Sequence, residues 1–434
     1  MKTLLSTLFL GISSLIFSQT YFEGGIYNNT IWTLENSPYI ITGDVAVFPD
    51  NTLTIEEGVR ILFDAVYYFE IRGSLIVKGD TNNYVEFNNY DNTTEDKWIG
   101  IKYQDNPGSR IRIDYCIIKN AQTGINAAGL WCTDSVILNN TVIDSCAIGF
   151  QAITTPNLFI YNSNFSNNEK GIYGDFITPV NTTFTNNTIG VMGSDMNIIN
   201  CSFSGNDYGI YDESGSISVN NCVLTENDVG ISTKSTIITD SEIQYNRIGL
   251  LMESNSITDE NSAKKDNKIC YNNEYNIKMQ TAFNQDLKNN CFCTSDSAEI
   301  EELIYDGYDD ITVGLVNYSI YNISCDIRLK SVIKHNDNYF NSINNEKTNI
   351  ANIDIYYDSY YMYILLRNRL GKELNLNIQL YNICGQTVYS ENIFNINNEL
   401  YIPLGDKLNI TNGIYILRLS EIYEGTTVVK KVIQ

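Results

Sequence analysis

Side chains able to do chemistry are plentiful in one class only, the carboxylates. Asp195, Asp212, Glu213, Asp228, Asp240 and Glu242 crowd the middle of the chain. Hydrolysis of a sugar linkage would need two carboxyl groups held roughly 5–10 Å apart across the ring, and no paired signature stands out among them. The adjacent pair Asp309-Asp310 follows Asp306 in a turn-like segment. Those three could supply oxygen ligands to calcium, or simply form a polar turn. Between Gly100 and Asn276 there are three arginines, Arg110, Arg112 and Arg247. Arg110 and Arg112, two apart, share one face of a strand and read either as an anion site or as exposed strand cations. The single histidine, His335, falls in a polar aperiodic stretch, away from every other candidate. Cys291 and Cys293 form a Cys-x-Cys pair, with no second pair at zinc-finger spacing. No catalytic residue and no metal-ligand set is therefore assigned. No cofactor is expected, with calcium at the Asp306 turn kept as the alternative.

The elements that would position such groups announce themselves by repetition. A Gly-apolar pair recurs at Gly100, Gly124, Gly149, Gly171, Gly190, Gly209, Gly230 and Gly249, with a degenerate copy at Asn276, spaced 24, 25, 22, 19, 19, 21, 19 and 27 residues apart. Three residues before the marker stand Asn168, Asn187, Asn206, Asn227, Asn246 and Asn273. Six before it is a large apolar residue: Ile118, Ile143, Phe165, Phe184, Phe203, Leu224 and Ile243. Eight before it is a small one, Cys116, Thr141, Ser163, Thr182, Cys201, Cys222 or Ser241. A period of 20 to 25 residues built from short alternating segments and Asn/Gly/Asp/Ser breaks predicts a solenoid of strands, whose units cannot bury their apolar faces alone. The glycine is expected at a corner with positive φ. The apolar residue after it should point inward, and stacked Asn side chains should bond from coil to coil. The register makes Cys116, Cys201 and Cys222 small inward-facing residues, although a disulfide between the neighbours Cys201 and Cys222 is geometrically open.

The chain is 434 residues long with a formal net charge of −23, which argues against nucleic acid as a partner. Residues 1–18, with Lys2 followed by an apolar run and Ser18, read as a secretory signal peptide. No later apolar run is long enough to span a membrane, so no transmembrane segment is expected in the mature protein.

The repeat resembles the right-handed parallel β-helix family, the pectate-lyase-like superfold. The resemblance extends upstream through "NTLTIEEGVRILF" and "IRGSLIVKGD", and downstream to the segment that contains "AEIEELIYDGYDD", where a short helix near Ala298–Ile304 and an Asp-rich turn should close the coil. Cys291-Phe292-Cys293 stands where the family usually has an aromatic-Gly phrase. Lyases of this superfold imply an Arg or Lys base beside acidic calcium ligands on one sheet, and no such set is evident.

From about Asn352 alternating strands resume. Gly385 in "YNICGQTVYS", Gly413 and Tyr415 in "NGIYILRLS", and Lys430-Lys431 near the end are similar to the landmarks of the C-terminal sorting domain of the type IX secretion system. That resemblance implies an immunoglobulin-like β-sandwich read by the outer-membrane translocon. The expected organisation is all-β: signal peptide 1–18, parallel β-helix with its caps 19–325, linker 326–351 and sorting β-sandwich 352–434. The expected function is an exported, non-catalytic surface or secreted protein that contacts polysaccharide, with exposed Tyr173, Tyr208 and Tyr211 able to stack on sugars. The alternative is a polysaccharide lyase or glycoside hydrolase acting outside the cell.

Overall fold

The computed structural model describes residues 19–319, 321 and 325, apart from 92–95, 105–107, 128–135, 154–157 and 254–263, together with the seven strands between 353 and 433. The proposed linker 326–351 and signal peptide 1–18 lie outside the described residues, as does His335. The chain divides into two compact units, Met1–Ser331 and Val332–Gln434.

The first unit is a parallel β-solenoid. One sheet of 11 strands runs in strict chain order from Thr30–Trp32 to Lys264–Lys265, one strand per coil. A second, 23-stranded sheet takes two strands from most coils. Period-2 alternation explains the strands: each short segment turns one or two apolar residues inward and its polar neighbours outward.

The inward residues stack on their equivalents. Ile125, Phe150, Ile172, Val191, Ile210, Ile231, Leu250, Ile277 and Ile304 form one continuous column in register. Beside it the rings of Phe165, Phe184 and Phe203 stack at 5.3 and 4.7 Å. Each buried side chain of this kind contributes about 1.5–3 kcal/mol, which only the neighbouring coils can realise.

Buried asparagines tie the coils together. The Asn168 backbone N–H donates to Asn187 Oδ1 at 3.0 Å, Asn187 to Asn206 at 2.9 Å, Asn206 to Asn227 at 3.1 Å and Asn227 to Asn246 at 3.0 Å. Each Nδ2 then donates back to the carbonyl of an earlier coil, as Asn187 does to Phe165 at 3.0 Å. The next member is Asn272, whose Oδ1 accepts from Asn246 N at 3.0 Å. Asn273, which the three-residue spacing pointed to, is exposed instead. The last corner is one residue longer, so Asn272 lies four residues before Asn276.

Of the marker glycines Gly100 holds the expected positive φ, at 124°, and the later ones depart from expectation. Gly171, Gly190, Gly209, Gly230 and Gly249 lie inside strands, and none has a positive φ. A Cβ on any of them would sit 2.5–2.7 Å from a backbone carbonyl oxygen of the next coil. They are glycines because two backbones approach closely there. The left-handed corner belongs to the residue before the asparagine: Asn167, Asn186, Gly205, Glu226, Tyr245 and Tyr271, with φ between 55° and 69°.

The small-residue column also bonds from coil to coil. Thr141 N donates to Ser163 Oγ at 3.1 Å, Cys201 N to Cys222 Sγ at 3.4 Å and Cys222 N to Ser241 Oγ at 3.1 Å. Cys116, Cys146, Cys201 and Cys222 are free and buried. Burial pushes the Cys146 thiol up to about 11 and raises those of Cys116 and Cys201 further.

At the C-terminal end of the solenoid, helix Ser297–Glu302 starts at Asp296, whose side chain accepts from Ala298 N at 2.9 Å. Two disulfides, Cys270–Cys293 and Cys291–Cys325, hold this closing segment.

In the second unit, Ile353–Asp358, Tyr363–Asn368 and Glu399–Pro403 form a three-stranded antiparallel sheet. Thr387–Ile396, Leu374–Asn382, Ile414–Glu421 and Thr427–Ile433 form a four-stranded one. This is the strand make-up of a small immunoglobulin-like sandwich.

Candidate functional site

Several residues singled out by type turn out to be structural. Asp212 is fully buried and accepts from Gly215 N, Lys234 N, Ser235 N and Thr236 Oγ1 at 2.6–3.2 Å, pinning a corner. Asp306 is also buried, accepting from Tyr308 N at 2.9 Å and Val316 N at 2.7 Å, while Asp309 accepts from Asp306 N at 3.1 Å. Asp195 and Asp240 occupy left-handed corner positions. Glu242 accepts from Gln244 at 2.6 Å. Arg112 is exposed and pairs with Asp114 at 3.2 Å, and Arg110 precedes its strand and is exposed.

Other residues come together. Tyr173, Met192 and Tyr211 stand in register on adjacent coils of the large sheet. Tyr208 meets Tyr211 edge to face at 5.5 Å, and Lys170 Nζ lies 4.3 Å from the centre of the Tyr173 ring. These side chains are half-buried on the outer face.

Beside this face runs a corner groove of about 470 Å³, lined by Gly205, Asn206, Asp207, Glu226, Asn227, Asp228, Tyr245, Arg247 and Asn273. Its origin is legible in the corner column. That column passes from Gly205 through Glu226 to Tyr245 and Tyr271, so a site without a side chain lies two coils from a large ring. Tyr245 and Tyr271 stack at 5.6 Å with their planes 15° apart, and remain 54% and 53% exposed. Both hold φ of 57°, a conformation that costs an ordinary L-residue roughly 1–2 kcal/mol. Asn167 and Asn186 fill the same position in earlier coils, and asparagine tolerates it far better.

The polar wall is equally organised. Arg247 donates to both oxygens of Asp228, Nε to Oδ1 at 2.5 Å and Nη2 to Oδ2 at 2.9 Å, and its Nη1 also bonds Glu274. Lys278 reaches Glu274 at 3.8 Å. The bonds from Arg247 hold the Asp228 carboxyl below its usual range, and the bonds to Asp228 and then Glu274 raise the guanidinium further. The result is a fixed row of charge-assisted donors and acceptors next to an aromatic surface. Residue-type reasoning noted Arg247 and Asp228 separately. Writing the coils in register places Arg247 between Asp228 and Glu274.

Comparison with known proteins bears mainly on the second unit. Residues 359–434 match the family described as the secretion system C-terminal sorting domain. The second unit is a sorting domain. Such a tail directs its chain through the type IX secretion system, to the cell surface or the surroundings. Of the landmark residues, Tyr415 lies in strand Ile414–Glu421 and Lys430 and Lys431 in Thr427–Ile433. Gly385 and Gly413 lie outside the described residues.

Elsewhere, 84 residues are 29% identical to Protein bark beetle of Drosophila melanogaster, a stretch covering 19% of this chain and 3% of that protein. Among solved structures, the complex of XylC with xylose shares 10% identity at a TM-score of 0.26, covering 89% of this chain and 68% of that one. Full-length tailspike protein 2 of Escherichia coli O157:H7 bacteriophage CAB120 shares 10% identity at 0.22, covering 96% and 65%. At these scores neither bears on the groove. Among the described residues, no helix is long and apolar enough to cross a membrane.

Proposed function

We propose that the protein is a non-catalytic carbohydrate-binding β-helix, exported across the inner membrane by the signal peptide 1–18 and across the outer membrane by its sorting domain. Polysaccharide is gripped at the corner groove and the adjoining tyrosine face. The observation that carries this reading is the pair Tyr245–Tyr271. Two neighbouring coils accept a strained backbone at a corner that Asn or Gly would fill at less cost, and spend it on an exposed aromatic stack. Strain of this kind gathers at functional sites. A ring face offers the apolar side of a pyranose a partner, while Asp228, Arg247 and Glu274 are already immobilised to meet its hydroxyls. Three lining carboxylates, Asp207, Glu226 and Asp228, stand against one guanidinium, which favours neutral over uronate-rich chains.

The test is binding to a glycan array and to insoluble polysaccharides by the wild type and by Tyr245→Asn with Tyr271→Asn. Asparagine relieves the corner strain, so the double variant should fold at least as stably while losing binding by tenfold or more. Absence of binding by the wild type, or undiminished binding by the variant, would sink the reading. A lyase or hydrolase remains the second reading, favoured by the convergence of Asp228, Glu274 and Arg247. Against it, a general acid needs a raised pKa, and Arg247 lowers that of Asp228. Unsaturated product from pectin or alginate, followed in the ultraviolet, or new reducing ends, would decide for an enzyme.

A further inference from the structure

The cap brings together cysteines that the sequence keeps apart. Cys270 ends strand Lys268–Cys270, Cys291 bridges to Lys268 on the same coil edge, and Cys325 arrives from beyond the closing turn. The sulfur atoms of Cys291, Cys293 and Cys325 all lie within 4.8 Å of one another, and the sulfur of Cys270 is bonded to that of Cys293. Cα separations are 5.9 Å for Cys270–Cys293 and 5.4 Å for Cys291–Cys325. Three sulfurs thus cluster, and the fourth, that of Cys270, is bonded to one of them. The missing second pair of a zinc-type ligand set is supplied by Cys270 and Cys325, at 21 residues before Cys291 and 32 after Cys293.

The scaffold holds the Cys291–Cys293 segment independently of the sulfurs. Cys291 N donates to Asn267 O at 2.7 Å, and Cys291 O accepts from Ile269 N at 2.8 Å. Phe292 between the two cysteines is buried and packs edge-on against Tyr318 at 6.0 Å. Cys293 takes a left-handed φ of 63°. Tetrahedral zinc with Zn–S of about 2.3 Å sets its sulfurs about 3.8 Å apart, a spacing within the span that the sulfurs of Cys291, Cys293 and Cys325 occupy.

We propose that the reduced chain binds one thiophilic divalent cation, Zn²⁺, on Cys270, Cys291, Cys293 and Cys325. The cap then has two closed forms: two disulfides, or four thiolates around a metal. Binding releases the four thiol protons to solvent and involves no electron transfer. The cation ties the segment at Cys325 to the last coils, as the disulfides do in the oxidised chain.

The experiment uses the full chain, reduced with a phosphine under nitrogen or left oxidised, and titrated with Co²⁺ and then Zn²⁺. One Co²⁺ per reduced chain is expected, with the visible bands of a tetrahedral thiolate site, displaced by Zn²⁺ and absent from the oxidised chain. Zn²⁺ should raise the thermal midpoint of the reduced chain and leave that of the oxidised chain unchanged. Cys291→Ser with Cys293→Ser should abolish the bands, and Cys325→Ser alone should weaken binding at least tenfold. The reduced wild type carries no substitution, so its failure to take up metal would overturn the proposal. Uptake that survives the double substitution would overturn it equally, placing the metal elsewhere in the chain.

Discussion

Replacing Asn187 by Ala tests the coil-to-coil ladder at a site away from the groove. The side chain accepts from Asn168 N and Asn168 Nδ2, both at 3.0 Å, and donates to Phe165 O at 3.0 Å and to Asn206 Oδ1 at 3.0 Å. After the substitution Asn168 Nδ2 keeps Ile143 O, and Asn206 Oδ1 keeps Asn187 N. The Asn168 N–H loses its partner in a dry interior, whereas the Phe165 carbonyl loses one acceptor contact and stays in the parallel ladder with the Thr183–Thr185 strand. One buried orphan costs about 1–3 kcal/mol. Solenoids do not unfold as one unit, so the sharper assay is native-state hydrogen exchange of the Asn168 amide. Its protection should fall about fivefold or more, since each 1.4 kcal/mol is a factor of ten. Asn187→Asp supplies the control. A carboxylate can still accept from Asn168 N, but it faces Phe165 O and Asn206 Oδ1 without a proton. Its folded pKa is therefore raised above the usual value of about 3.9. Stability relative to the ionised form is present below that value and lost as pH rises through the folded pKa. Asn187→Ala should show no such dependence. A loss of protection under threefold, or identical pH behaviour in the two variants, would refute the ladder as a source of stability.

Two further outcomes follow from burial. Gly190→Ala places a Cβ 2.6 Å from Gly209 O and 3.0 Å from Phe203 Cδ1, so two coils must part. It should lower the unfolding free energy read from denaturant melts by several kcal/mol, outweighing the gain of roughly 0.5–1 kcal/mol from removing a glycine, and a neutral result would show that the coils can slide. Lys264 sits in line with Ile238 on the 11-stranded sheet and is buried. Burial pushes its ammonium down to about 8 from an ordinary 10.5, partly offset by the charge of Asp212, a gap that corresponds to about 3 kcal/mol. Because the folded value is depressed, the unfolded chain binds more protons between these pH values, and stability rises across that window. Lys264→Met should therefore stabilise the protein most below pH 8, with the advantage fading toward pH 10.5 in thermal melts. A pH-independent difference would place the ammonium in water.

How much of this was readable depends on whether the period imposes the constraint. The β-solenoid was legible because every coil needs an apolar residue at the Phe184 position and an amide at the Asn187 position, and repetition multiplies a weak signal. The role of Gly190 was not, since close backbone approach and positive φ both select glycine and only coordinates distinguish them. The three-residue spacing points to Asn273 where Asn272 joins the ladder, because the last corner is longer by one residue, which spacing cannot reveal. A second corner ladder is less legible: Asn162 donates to Asn139 at 3.0 Å, Asn181 to Asn162 at 3.2 Å and Asn221 to Asn200 at 3.0 Å. In a chain this rich in asparagine its signal lay only in the fixed place before the small-residue column.

The groove and the cap fail to announce themselves for opposite reasons. Groove residues obey the register yet break its residue types: Tyr245 and Tyr271 stand where Asn167 and Asn186 stand elsewhere, and Arg247 follows Asp207 and Asp228 in the next column. In a repeat protein the site is the place where a column changes residue type without losing its geometry. Reading down columns rather than along the chain would have found it. Cap cysteines obey no register, because their meeting is set by the closing turn, which occurs once. Nothing periodic brings Cys325 to Cys291, so only the folded backbone can say that the sulfurs of Cys291, Cys293 and Cys325 gather beside Cys270.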